Sequence, residues 1–162
     1  MTHTNQLPSW QIGSVDAPIQ LVEYVNLRCP DCKDSWNELK DYLMPLIKSG
    51  KLRHIIKPIH KEKPFLEVGN QLQYLLPSDE TIDYRPIFEK IYTEQAIWGE
   101  YNLDELRRYV KEELGMQPNE DIEGADHRTD EIEFVPTILV GKKTFVETIR
   151  FDDVRAAIKP LL

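Results

Sequence analysis

The feature that most restricts the fold is an apolar run that leads into a pair of cysteines opening a helix. Residues 19–25 (Ile-Gln-Leu-Val-Glu-Tyr-Val) are mostly apolar and rich in β-branched side chains, the composition of a strand covered on both faces. Cys29-Pro-Asp-Cys32 follows and contains both cysteines of the chain. From there Cys32, Trp36, Leu39, Leu43 and Leu46 recur at steps of four, three, four and three, which is one face of a helix. Pro30 suits the first turn, where a missing N–H costs nothing. Pro45 is expected to kink or end the helix, and Ser49-Gly50 supplies a stop. Residues 51–60 then read as a second central strand. Strand, helix, strand is a βαβ unit, with the cysteines at the carboxyl end of its first strand.

The rest of the chain is organised around that unit. Residues 10–13 read as a short edge strand. Residues 62–134 are charged, helix-forming and periodic. Pro64 precedes Phe65, Val68, Leu72 and Leu75 at helical spacing, and Pro86 precedes Ile87, Phe88, Ile91 and Tyr92. Asn102 caps a third run with Glu105 at the capping-box position; Leu103, Leu106, Val110 and Leu114 share one face, and Gly115 ends it. A fourth, very acidic run holds Ile122, Ala125 and Ile132. Residues 137–147 read as a β-hairpin turning at Gly141-Lys142-Lys143, and Phe151, Val154 and Ile158 mark a closing helix. The class is α/β.

Composition removes several kinds of function. With 162 residues and 41% hydrophobic side chains, the chain can build one real core. Lys+Arg 20 against Asp+Glu 28 gives a formal charge of −8, which argues against nucleic-acid partners and anionic membranes. No stretch approaches the roughly 18 apolar residues of a membrane span. The opening residues carry neither the positive nor the apolar region of an export signal, so a soluble cytoplasmic protein is expected.

Two cysteines three apart close a loop too short to stabilise the folded state much, so the pair points to redox chemistry or metal. In the first turn of a helix, positions i and i+3 are close enough for a disulfide. The first sulfur sits where helical N–H groups favour negative charge, and the thiolate is the nucleophile. Cys29 is therefore read as the attacking thiol. Cys32 lies on the apolar stripe with Trp36 and Leu39, and is read as the shielded, resolving thiol. A zinc site would need four ligands, and no second cysteine pair exists. His54 and His60 could in principle complete a set, but read more simply as exposed or strand-end residues, so no metal is assigned. Glu23, alone among apolar neighbours, is the third catalytic candidate: a buried carboxylate could relay a proton to or from Cys32.

Leu21-Val-Glu-Tyr-Val-Asn-Leu-Arg-Cys29-Pro-Asp-Cys32 resembles the active-site segment of the DsbA family of the thioredoxin superfamily, as does the upstream Gly13-Ser-Val-Asp-Ala-Pro18. The resemblance implies a thioredoxin-like fold (residues 1–61 plus 135–162) with a helical domain (62–134) inserted after the βαβ unit. It also implies a cis bond at Val135-Pro136, lying against the active-site sulfurs, and an acidic residue at Glu23. Val135, Pro136, Pro30 and Asp31 would contact substrate. The implied activity is thiol–disulfide exchange with protein or small thiol substrates, without a prosthetic group, recycled by an electron donor or acceptor that the sequence does not name. Asp31 departs from the best-known member, which has histidine there; an aspartate is expected to raise the Cys29 pKa, partly offset by Arg28. A non-catalytic module, a metal-binding or redox-sensing module on the same fold, and a glutathione-using transferase are the competing readings.

Overall fold

The computed structural model describes residues 1–120 and 126–162. Five strands, β1 (Trp10–Ile12), β2 (Ile19–Val25), β3 (Leu52–Pro58), β4 (Thr137–Val140) and β5 (Lys143–Val146), form one sheet in the order β1-β3-β2-β4-β5. β2 runs parallel to β3, and every other neighbouring pair is antiparallel. The apolar run of β2 suits its place at the centre, where both edges are hydrogen-bonded and both faces covered. On one face Ile19 and Leu21 pack with Leu52, Ile138 and Val140 against Leu39 and Leu43 of α1 (Pro30–Lys48) and Val154 and Ile158 of α6 (Phe151–Ile158).

The α1 helix continues past Pro45, the position expected to kink or end it. Pro45 lies inside it, one turn from the end, so it removes a single backbone bond while Leu43, Leu46 and Ile47 stay packed on the sheet. The stop comes at Ser49-Gly50. Gly50 takes φ +77°, and the amides of Gly50 and Lys51 bond back to the carbonyls of Ile47 (3.1 Å) and Leu46 (2.9 Å), a Schellman motif.

The segment between β3 and β4 is helical as expected in its first part. A 3-10 turn (Pro64–Leu66) runs into α2 (Glu67–Leu75), followed by α3 (Tyr84–Thr93), α4 (Gln95–Trp98) and α5 (Leu103–Arg108). Both halves of the Asn102–Glu105 capping box are made. The helix does not reach Leu114 in regular form: residues Tyr109–Glu113 widen into a π turn, with the Leu114 amide bonded to the Tyr109 carbonyl at 3.0 Å.

The expected fourth helix is not seen among the described residues. Ile122 and Ala125 lie outside them, and Ile132 stands in irregular chain. The backbone there is engaged over long range instead: Arg128 O accepts from the Thr2 amide and His127 O from the His60 amide, both at 2.9 Å. The helical segment shares its core with the sheet. A single cluster joins Trp10, Val25, Leu27 and Trp36 to Leu72, Phe88, Ile91 and Trp98. Trp98 is fully buried, and its indole N–H donates to the Ile91 carbonyl at 2.7 Å.

Candidate active site

The chain leaves β2 through Asn26-Leu27-Arg28, and four buried amide side chains hold that turn. Asn26 donates to the Ile59 carbonyl (3.1 Å) and to Asn70 (2.9 Å), and accepts from the Arg28 amide (3.0 Å). Gln73 accepts from the Leu27 amide at 2.8 Å. Gln95 donates to the carbonyls of Leu27 (2.7 Å) and Cys29 (3.2 Å). A loop beneath helices cannot leave its backbone groups unpaired, and α2 and α4 supply the partners. Sequence reasoning missed these residues. The available signal was Asn70 and Gln73, polar and three apart on a helix whose neighbours are apolar.

Cys29 is the N-cap of α1 and Cys32 lies in its first turn. Both are free thiols in this structure. Cys29 keeps only 8% of its surface exposed and Cys32 none, so the nucleophile candidate shows a narrower window than the sequence suggested. The pair is strongly asymmetric. The Cys29 thiol is lowered from an ordinary 9.0 to about 7, first by a hydrogen bond from the Cys32 thiol. Burial opposes this, the amides of Cys32 and Asp31 assist, and the Asp31 charge raises the value least of all. The helix terminus therefore contributes, but the neighbouring sulfur contributes more. Cys32 is pushed well up by burial, by its bond to Cys29, by the Cys29 charge and by Glu23.

The Arg28 guanidinium lies against the helical segment, with Cζ 4.3 Å from the centre of the Phe65 ring. Pro30 and Asp31 are exposed at the rim. On the other side of the sulfur, the Val135–Pro136 bond is cis, and the Val135 carbonyl lies 3.9 Å from Cys29 Sγ. Val135 and Pro136 are themselves buried.

Glu23 is 3% exposed and faces α1. Its carboxylate accepts from the Ser35 hydroxyl at 2.8 Å and pairs with His54 Nε2 at 2.9 Å. His54 is thus neither exposed nor at a strand end. It is buried at mid-strand in β3, with its ring stacked against Trp36 at 6.3 Å between centroids. Residues Leu21 and His54 are paired in register, and alternation along each strand puts Glu23 on the same face, one step on. Beside Glu23, Ser35 and His54 lies a cavity of about 20 Å³, room for one water, whose lining reaches the partly exposed Lys40 and Arg85. From α3, the buried Tyr92 hydroxyl is pushed well up by burial and by the nearby Cys32 and Glu23.

His60 is engaged elsewhere, with Nδ1 3.1 Å from the Tyr74 hydroxyl and Nε2 3.3 Å from Glu62. Among the described residues no group of three or more His, Cys, Asp or Glu side chains is placed to hold a metal ion. What the arrangement can do chemically is present one ionisable, partly accessible sulfur, with a second sulfur in contact behind it and a buried carboxylate behind both.

Comparison with known proteins agrees with this architecture. A sequence model of the family described as thioredoxin matches residues 5–160. The structure is similar to that of a conserved protein of unknown function from Enterococcus faecalis V583, with 28% identity, 96% of this chain and 91% of that chain covered, and a TM-score of 0.77. It also shares the fold of α-DsbA1 of Wolbachia pipientis (15% identity, 97% and 94% covered, TM-score 0.68). The thiol-disulfide exchange protein α-DsbA2 from the same organism is a further neighbour (17% identity, 98% and 89% covered, TM-score 0.59). No curated protein matches the chain. With a family match running almost end to end over a five-stranded sheet whose central strand delivers a Cys-x-x-Cys to a helix, the chain belongs to the thioredoxin family and has the fold of the DsbA-type exchange proteins.

Proposed function

We propose that this protein is a thiol–disulfide oxidoreductase acting through Cys29-Pro30-Asp31-Cys32. The observation that carries the reading is the asymmetry of the two sulfurs: Cys29 is lowered to about 7 and partly accessible, while Cys32 is sealed and pushed well up. At neutral pH about half of Cys29 is thiolate, whereas a thiol at 9.0 is only about 1% ionised.

In the reducing direction the Cys29 thiolate attacks one sulfur of a substrate disulfide. A Cys29–substrate bond forms, the substrate S–S bond breaks, and the departing sulfur takes the electron pair and then a proton. Cys32 next gives up its proton and attacks Cys29 Sγ. This forms the Cys29–Cys32 disulfide and releases the second substrate thiol, so two electrons have left the protein. Glu23, buried with Ser35 and His54, is the proton acceptor proposed for Cys32 in that second step. Val135, Pro136, Pro30 and Asp31 form the rim against which a substrate would lie, with protein or small-molecule disulfides as partners and a separate donor or acceptor restoring the cycle.

The test is to trap the first intermediate. Cys32→Ser leaves Cys29 able to attack and nothing to resolve, so a stable mixed disulfide with an added disulfide substrate is expected by intact mass, and none with Cys29→Ser. If neither variant nor the wild type forms an adduct, the oxidoreductase reading is wrong. Zinc retained through purification and lost on changing Cys32 would favour a metal-binding module instead.

A further inference from the structure

The two walls of the nucleophile come from chain segments far apart in sequence, and one lysine is tied to both. On the helix side the turn before Cys29 is held by Asn26. Its side chain donates to Asn70 at 2.9 Å, and its backbone carbonyl accepts from the Cys29 amide at 3.0 Å. Asn70 is fully buried and uses all four of its hydrogen-bonding positions. Its oxygen accepts from Asn26 and from the Lys61 amide (3.0 Å); its nitrogen donates to the Lys61 carbonyl (2.8 Å) and to Glu67 (3.1 Å). The backbone of Lys61 is thereby fixed to the turn that carries Cys29.

The side chain of Lys61 reaches the other wall. Its ammonium donates to the Glu133 carbonyl at 2.6 Å, shortly before Val135. Beyond that point the Phe134 carbonyl accepts from the Thr137 hydroxyl and the Pro136 carbonyl from the Glu147 amide, both at 2.7 Å. From Thr137 onward β4 is paired with β2. The turn is therefore anchored downstream by the sheet and immediately upstream by Lys61. Between these anchored carbonyls, that of Val135 stands 3.9 Å from Cys29 Sγ. Burial lowers the Lys61 pKa, and a short charge-assisted bond offsets the water the ammonium has lost.

We infer that Lys61 is a positioning residue for polypeptide substrates: tied by its backbone to the Cys29 turn and by its ammonium to the segment entering Val135–Pro136, it sets how the Val135 backbone faces the nucleophile. This rests on the exchange reading above and adds to it a residue that touches neither sulfur. An extended peptide laid against Val135 gains most from main-chain bonds when that backbone is already in place. A disulfide without peptide groups has nothing to pair with it. The bonds made and broken between sulfurs are unchanged; Lys61 governs how well a polypeptide disulfide is held while Cys29 attacks. Lys57 supplies the comparison. It is half-buried like Lys61, and its ammonium also donates to a backbone carbonyl at 2.6 Å, but to that of Thr4 in the N-terminal segment.

The experiment follows oxidation of the reduced protein by a disulfide-bridged peptide of zero net charge and, separately, by bis(2-hydroxyethyl) disulfide. The peptide is varied in concentration to give a half-saturation value and a limiting rate. The quantity read is the ratio of the peptide rate constant to that of the small disulfide, in which any change in Cys29 ionisation cancels. Lys61→Met keeps an apolar stem and removes the donor. It is expected to lower the ratio about fivefold, through a higher half-saturation concentration with the limiting rate unchanged. Lys57→Met removes the same charge and the same kind of bond and is expected to leave the ratio unchanged. An unchanged ratio in Lys61→Met, with the two disulfides unaffected or slowed equally, overturns the positioning role while leaving disulfide exchange intact. So does an equal fall of the ratio in Lys57→Met. If neither disulfide oxidises the wild type, the exchange reading fails and the role of Lys61 with it.

Discussion

Replacing Cys32 with alanine removes the thiol whose hydrogen bond is the largest cause of the low Cys29 value. What remains is burial, which raises that value, against two backbone amides, which lower it, so the Cys29 pKa is expected to rise toward its ordinary 9.0. For a full return, the thiolate fraction at pH 7 falls about fiftyfold, from half to about 1%. A more basic thiolate is also a better nucleophile: with a Brønsted slope of 0.4–0.5, two units of pKa return about six- to tenfold. The net expectation is alkylation by iodoacetamide about five- to eightfold slower at pH 7 in Cys32→Ala. Well above pH 10 the order reverses, with the variant about six- to tenfold faster. Cys32→Ser, whose hydroxyl can still donate, is expected to lie between. The assay is the pH–rate profile of alkylation, backed by thiolate ultraviolet absorbance; the sealed Cys32 does not compete in the wild type. A half-maximal rate still near pH 7 in Cys32→Ala would refute the reasoning and assign the low value to the helix terminus.

Other outcomes follow from the same geometry. Asp31→His is expected to lower the Cys29 pKa and so favour the dithiol, raising the reduction potential by about 30 mV or less, because Asp31 is the weakest of the causes acting on Cys29; a fall in a glutathione redox titration contradicts this. His54→Ala leaves the buried Glu23 carboxylate with Ser35 alone and is expected to cost about 3 kcal/mol in denaturant unfolding, against under about 1 kcal/mol for an exposed position such as Lys142→Ala. Gly69→Ala, a change that normally favours a helix by about 1 kcal/mol, is expected to destabilise instead, because its Cβ would lie 2.2 Å from Asn26 Oδ1 and disturb the turn before Cys29. A raised unfolding midpoint in that variant would show that the turn has slack.

The βαβ unit, the placement of Cys29 and Cys32 at its mouth, the capping box at Asn102 and the closing hairpin and helix were all readable from residues close together in the chain. Their signals are local: periodicities of two and 3.6, a cap three residues from its partner, a glycine after a helix. That the helix continues past Pro45 to its stop at Ser49-Gly50 was not fixed locally, because local rules cannot weigh one lost backbone bond against three side chains packed on a sheet. The acidic run after Gly115 lies partly outside the described residues; where it is described, His127 and Arg128 bond to His60 and Thr2, long-range partners that periodicity does not report.

The chemistry of the site depended on distance in the chain. The sequence by itself determined that a cysteine pair would open a helix beside a central strand, and that Glu23 would be a carboxylate among apolar neighbours. Only the tertiary structure decided that Glu23 meets His54, that Gln95 holds the Cys29 carbonyl, that the Val135 carbonyl stands against Cys29, and that Arg28 turns toward Phe65. Those partners come from β3, α4, the turn before β4 and the segment before α2. Periodicity reports which face of an element is buried; what that face meets is set by how the elements pack, and that is a property of the whole chain.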